Sequence, residues 1–230
     1  MVYSALRIPS KKVPATAVVI LLHGLGDTGA GWKFLADYAH NSFGDKFQHV
    51  KFVFPHAPEM PVTVNGGYRM TSWFDLFELG NPSLSSKQDI KGFLKCIDII
   101  KGLIQEQIDE GINPNKILLG GFSQGAALTL ASLALLDNKI GGFLAMSGFV
   151  NIPNVVKELI KNANVDTPIL QCHGTADPVV NYNVGEQTYD FYKKNLGFTD
   201  YIFKTYPGMG HSTCDEELND IFKFFEKILI

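Results

Sequence analysis

Cysteine is scarce in this chain of 230 residues, limited to Cys96, Cys172 and Cys214. An odd number with no C-x-x-C spacing excludes a disulfide framework and a cysteine-based zinc site, and leaves the thiols buried or idle. Histidine does not make up the shortage. None of the six stands at ligand spacing with carboxylates, so neither a metal nor any other cofactor is expected. Long apolar runs are missing too: the one nearest the N-terminus, Ala17 to Leu22, is too short to span a bilayer and too far in to resemble a signal peptide. The single Asn-x-Ser triplet holds Pro82 between Asn81 and Ser83, the one residue that forbids glycosylation. These absences lead to the expectation of a soluble, reducing, cytoplasmic setting, the nucleus included. Excess charge of one sign is also lacking. Twenty basic against 23 acidic residues give a net charge of −3 with no long basic run, which offers no footprint for nucleic acid or an anionic membrane. No linker, repeat or low-complexity segment divides the chain, and with 46% hydrophobic residues one domain over 1–230 is expected.

What the chain does have is a stretch that organises the rest. Lys116 to Leu136 reads KILLGGFSQGAALTLASLALL. Ile117 to Leu119 is a short continuous apolar run, suited to a strand buried on both faces of a parallel sheet, and the run after Gly125 suits a buried helix. Between them Gly121, Ser123 and Gly125 spell G-x-S-x-G, a strand-to-helix turn that holds a serine hydroxyl out at the sheet edge in a strained backbone conformation. The pentapeptide alone is weak. A strand before it and a helix after it give it weight.

Apolar patterning places the other elements. Strands are predicted at Tyr3 to Ile8 (an edge), Ala17 to Leu22, Val50 to Phe54, Phe143 to Ser147, Pro168 to Cys172 and Tyr201 to Tyr206. Helices are predicted at Trp32 to His40, Lys87 to Glu110, Val155 to Lys161 and Tyr182 to Asn195. A last helix opens on a capping box, Thr213 to Glu216, and carries Leu218, Ile221, Phe222, Phe225 and Leu229 on one face. Strands alternating with helices mean an α/β fold, a mainly parallel sheet with helices on both faces. From His56 to about Ser86 the chain is rich in Pro, Gly, Trp and Phe with little period. It reads as a long loop, and such loops tend to carry function.

A serine hydroxyl needs a base, and in this kind of turn the acid and the base follow it in the order Ser, Asp or Glu, His. Two histidines come after Ser123. His173 ends a strand and, with Gly174 and Asp177-Pro178 close by, reads as part of the loop that delivers the acid. His211 lies in PGMGHST, between the last strand and the last helix, where the base belongs. The competing reading makes His211 a surface histidine and Asp177 a turn residue before proline. Upstream, AVVILL runs into HGLGDTG, whose bare backbone suits an oxyanion loop; such a hole takes one N–H from a loop after an early strand and another from the residue after the nucleophile. Gly24, Gly26 and Gly29 also spell G-x-G-x-x-G, but the next strand, in VKFVFPHAP, lacks the acidic residue a dinucleotide site requires. His23 is expected to shape the oxyanion loop, and His40 and His49 to lie in polar connections.

LHGLGDTG, SWFD at Ser72 to Asp75, GGFSQG, LQCHGTADPVV and KTYPGMGHST follow one another nearly end to end. Together they resemble the acyl-protein thioesterase and lysophospholipase family of the α/β-hydrolase fold. The resemblance implies Ser123 as nucleophile, Asp177 as acid and His211 as base, with the backbone N–H groups of Leu25 and Gln124 as the oxyanion hole. It implies a compact enzyme with no large lid and no cofactor, which removes fatty acyl groups from protein cysteines and also acts as a lysophospholipase and carboxylesterase. S-acylated proteins or lipid esters are then the expected partners, with transient contact to a membrane surface and none to nucleic acid; the oligomeric state is open. Met70, Trp73, Leu76, Phe149 and Val179 are the expected lining for the acyl chain, with core packing an equal alternative for Trp73 and for the neighbouring Phe74; Leu79 shares their segment. A carboxylesterase of small soluble esters, or a binding module that kept the serine without using it, stay open as alternatives. Two departures from the family pattern stand out. No cysteine precedes Cys96, so attachment through an acylated N-terminal cysteine is not expected, and Thr71 stands where relatives often have proline before SWFD.

Overall fold

The computed structural model describes residues 3–78 and 87–230. Its strands in chain order are β1 (Ala5–Ile8), β2 (Ala17–Leu22), β3 (Val50–Pro55), β4 (Glu59–Val62), β5 (Tyr68–Thr71), β6 (Ile117–Phe122), β7 (Gly142–Met146), β8 (Ile169–Gly174) and β9 (Tyr201–Tyr206). Seven of them form one sheet in the order β1-β3-β2-β6-β7-β8-β9. Only β1 runs antiparallel in it. The helices are α1 (Lys33–Ser42), α2 (Ile90–Asp109), α3 (Gln124–Leu135), α4 (Pro153–Leu159), α5 (Tyr182–Asp190) and α6 (Asp215–Leu229), with a π-helical turn over Phe191–Asn195 extending α5.

The unbroken apolar runs follow from what each sheet face meets. Successive side chains of a strand point to opposite faces. In β2, Val18, Ile20 and Leu22 enter the apolar cluster that includes residues of α2, α3 and α5, while Ala17, Val19 and Leu21 enter the one formed with α1 and α6. Both faces are covered, so no polar alternation survives. The last helix seats Ile221, Phe222, Phe225 and Leu229 as its periodicity predicts, all at most 2% exposed. At roughly 1.5–3 kcal/mol for each such side chain buried, this face is enough to dock the helix.

The strand order reverses between β2 and β6. β3 lies on one side of β2 and β6 on the other, and open α/β sheets present a crevice beyond the carboxyl ends of the strands at such a point. His23 follows β2 and Ser123 follows β6, so the fold brings the glycine-rich loop and the serine turn to the same place.

Several expectations are corrected. The segment from His56 to Ser86, read as a loop, contains the β4-β5 hairpin. Its strands are short, Pro61 interrupts one, and Tyr68 and Arg69 are exposed on the other, so no alternating apolar face marked it. Leu79 and the rest of 79–86, including Asn81 to Ser83, lie outside the described residues. α2 begins at Ile90 and not Lys87, because the Asp89 carboxylate caps it, accepting from Gly92 N at 2.9 Å. The capping box at Thr213 to Glu216 does not form. The N-cap is Cys214, which makes no side-chain capping bond, and the N3 residue is Glu217, buried instead of reaching back. Asp215 and Glu216 in that first turn complement the helix dipole instead. His40 lies within α1, buried, donating from Nε2 to the Val50 carbonyl at 2.9 Å. Among the described residues, no helix is long and apolar enough to cross a membrane.

Candidate active site

Ser123 alone makes the turn between β6 and α3, with φ 54° and ψ −114°. A non-glycine residue at positive φ is strained, and such strain persists only where the surroundings enforce it. Here they do. A Cβ on Gly121 would stand 2.3 Å from the Gly125 carbonyl, and one on Gly125 2.3 Å from the Leu22 carbonyl oxygen, so both glycines are fixed by close backbone approach. The Ser123 N–H donates to Met146 O at 2.9 Å, anchoring the turn to β7.

The three residues expected to act together do converge. His211 Nε2 lies 2.9 Å from Ser123 Oγ, and its Nδ1 lies 2.7 Å from Asp177 Oδ2. A carboxylate can only accept, so Nδ1 carries the proton and Nε2 turns a lone pair to the serine hydroxyl. The Phe122 ring packs on the imidazole at 4.7 Å between centroids. Asp177 is 4% exposed, and its Oδ1 accepts from the N–H groups of Val179 at 2.8 Å and Val180 at 2.9 Å. Burial by itself would push this carboxyl up; the bonds from His211, Val180 and Val179 outweigh it and hold the group below the usual carboxylate range.

On the other side of Ser123, the N–H groups of Leu25 and Gln124 have no acceptor among the described residues. The loop that carries Leu25 is held from three directions. His23 is buried, donates from Nδ1 to Gly24 O at 2.7 Å and accepts at Nε2 from Ala57 N at 3.0 Å; burial depresses its pKa, so it is a neutral strut. Gly26, at φ 78°, donates to Thr71 O at 2.8 Å, and the Thr71 hydroxyl donates to Asp27 O at 2.6 Å. Trp73 Nε1 donates to His23 O at 2.8 Å. Threonine at 71 thus adds a tie to the loop that a proline side chain could not make.

Sequence reasoning missed the side chain of Gln124. Its Oε1 accepts from Trp73 N at 3.0 Å, and its Nε2 donates to Phe74 O at 2.8 Å and to Ser72 Oγ at 2.9 Å. The start of α3 is therefore bolted to the segment leaving β5. No local pattern marks this pairing, because Ser72 and Gln124 each stand beside another polar residue, Thr71 and Ser123. Of the residues expected along the acyl chain, Trp73, Leu76 and Phe149 are almost fully buried, and Met70 and Val179 are half-buried; all pack in one apolar cluster with Leu25. Phe74 is core, its ring 4.6 Å from that of Phe93. His173 is the penultimate residue of β8 and is fully buried beside Asp177. Cys96 and Cys172 are buried with thiols pushed up by burial, and Cys214 is partly exposed.

The family model described as phospholipase/carboxylesterase matches residues 4–229. The chain belongs to that family. It is 48% identical over 227 residues to acyl-protein thioesterase 1 of Debaryomyces hansenii, covering 98% of this chain and 97% of that protein. Acyl-protein thioesterase 1 of Saccharomyces cerevisiae is 47% identical over 226 residues, covering 98% and 99%. The crystal structure of Arabidopsis thaliana SOBER1 superposes with a TM-score of 0.85 at 35% identity, covering 93% of this chain and 99% of that one. That of Zea mays acyl-protein thioesterase 2 gives 0.83 at 27% identity with full coverage of both chains. The phospholipase/carboxylesterase family member therefore has the α/β-hydrolase fold, and with membership comes hydrolase activity. Membership also disposes of the dinucleotide reading. A Cβ on Gly29 would meet Phe54 O at 2.2 Å, so the third glycine of G-x-G-x-x-G serves the packing of this hydrolase's loop on β3.

Proposed function

We propose that this hydrolase is an acyl-protein thioesterase that cleaves fatty acyl thioesters from protein cysteines with Ser123, His211 and Asp177. The observation that carries the reading is the unbroken line of hydrogen bonds from Ser123 Oγ through the His211 ring to Asp177. His211 Nε2 takes the hydroxyl proton while Oγ attacks the thioester carbon. The resulting oxyanion is received by the N–H groups of Leu25 and Gln124, each such donor contributing about 3 kcal/mol in comparable sites. The C–S bond then breaks, and the imidazolium returns its proton to the departing cysteine sulfur. Water attacks the acyl-serine with His211 again as base and frees the fatty acid. Asp177 fixes the tautomer and steadies the imidazolium throughout.

S-acylated proteins are the substrate class because acyl-protein thioesterase 1 is the name borne by the fungal relatives at near half identity. Met70, Trp73, Leu76, Phe149 and Val179 are the side we assign to the acyl chain. The family description also supports a second reading, a carboxylesterase of small soluble esters. A binding module with an idle serine fits poorly, since the strained turn at Ser123 has no use without the hydroxyl's chemistry. A fluorophosphonate is expected to label Ser123, and Ser123→Ala to lose both labelling and turnover. kcat/KM on palmitoyl-cysteine peptides, lysophospholipids and butyrate esters then ranks the readings: preference for butyrate esters would replace thioesterase by carboxylesterase, and labelling at another serine would overturn the site.

A further inference from the structure

We propose that His173 is a positioning residue for Asp177: it donates from Nε2 to the carbonyl of Val180, closing the loop whose amides hold the aspartate, and turns the same N–H dipole toward the carboxylate. The inference rests on reading Asp177 as the acid of the triad.

His173 Nε2 lies 2.9 Å from Val180 O and 3.7 Å from Asp177 Oδ2. Both are acceptors, so Nε2 bears the proton and the ring is the Nε2–H tautomer. Nδ1 is left with a lone pair and no partner, fully buried. It faces the backbone of α5 at Gly185, where even a Cβ would stand 2.6 Å away, so no acceptor can approach to share a second proton. The titratable groups around the ring are Asp177, His211 and, edge-on at 6.3 Å, Tyr182. Burial depresses the pKa against the opposing pull of Val180 O and Asp177, which agrees with a neutral ring.

Packing alone does not account for a histidine here. A buried ring nitrogen without a partner is a cost that an apolar side chain of like size would not carry. What such a side chain would lack is the donor. Val180 is the junction: its N–H holds Asp177 Oδ1, and its C=O is held by His173. The direct turn bond within the loop, Asp177 N to Gly174 O, is long at 3.4 Å and leaves the orientation to these contacts. Oδ2 then points at His211 because Oδ1 is pinned by the amides of Val179 and Val180, and His173 holds the peptide that follows.

The test compares His173→Met, which fills the space without a donor, with His173→Gln, whose amide nitrogen can reach the place of Nε2. On a short ester, the Met variant is expected to lose kcat on the order of 10²-fold, the scale of a misplaced catalytic group, with KM nearly unchanged; the Gln variant should recover most of the loss. Parent-like kcat in both variants, or equal loss in both, overturns the donor role. Independently of variant folding, ¹⁵N NMR of histidine-labelled parent enzyme should find His173 as the Nε2–H tautomer, neutral from about pH 5 to about pH 8. An Nδ1–H tautomer, or protonation in that range, overturns the proposal. Failure of the triad itself would appear separately, as turnover surviving in Ser123→Ala.

Discussion

Asp177, on the loop after β8, and Glu217, in the first turn of α6, are the two acidic residues buried among those described, at 4% and 0% exposure. Asp177 receives hydrogen bonds from His211, Val179 and Val180, and is held below the usual carboxylate range. Glu217 receives none on either oxygen, and burial pushes its carboxyl from 4.5 up to about 8. Burial is common to both, so the number of donors decides the charge. The protein keeps an ion where three N–H groups were built around it and carries a neutral acid where none were. Around Glu217 stand Cys172 and Tyr206, whose own groups are raised by burial, and among the described residues none donates to either carboxyl oxygen. The two carboxyls also act on stability with opposite sign.

The largest effect should come from removing the charge that is well held. Asp177→Asn is expected to fold and to lose turnover by something like 10⁴-fold, because an amide no longer fixes His211 in the tautomer that leaves Nε2 free. Turnover within tenfold of the parent would mean that the acid is elsewhere.

Glu217→Gln tests the other half. The folded state binds the Glu217 proton more tightly than the unfolded chain does, so its stability is full below about 4.5 and is lost as pH rises to about 8. The loss is at most on the order of 5 kcal/mol across that window, at 1.36 kcal/mol per unit. Glutamine does not ionise, so urea unfolding at pH 5 and pH 8 should show a smaller fall for the variant than for the parent. Parallel behaviour would show that Glu217 has found a partner on folding. Asp177 works the other way: its contribution is present above the normal carboxylate range and is lost as pH falls through its lower folded value.

A third carboxyl, placed in the apolar cluster at Leu76, has the smallest effect and the narrowest reach. Leu76→Asp should depress turnover of octanoyl esters more than of acetyl esters. Each methylene held in the transition state contributes up to about 0.8 kcal/mol, nearly fourfold in rate, and a polar carboxyl on that wall removes the gain. An equal loss for both esters would assign Leu76 to the core.

The strands were the most legible part of the fold. Ala17–Leu22 and Tyr201–Tyr206 stand at the residues predicted, because a strand covered on both faces, or bounded by turn residues, leaves its ends in the one-dimensional pattern. The β4-β5 hairpin was not legible, since its side chains have no common buried face to impose a period. The site divided in the same manner. Order along the chain pointed to Ser123, Asp177 and His211, and the structure brings them together. Order said nothing of Gln124's amide reaching Trp73, 51 positions away, or of His173 holding Val180.

By itself, then, the sequence determined the α/β class, the strained serine turn and the family, because each depends on local pattern: glycines where backbones touch, apolar runs where faces are covered, polar residues in a fixed order. Only the tertiary structure decided which buried groups are ions. From the sequence Asp177 reads as the acid of the triad, with a turn residue before proline as the alternative, and Glu217 carries no reading of its own; neither position declares its charge. Their states were set by donors that arrive from elsewhere in the fold or fail to arrive. Hydrogen-bond partners of a buried group are a three-dimensional property, and a carboxyl's charge follows from them.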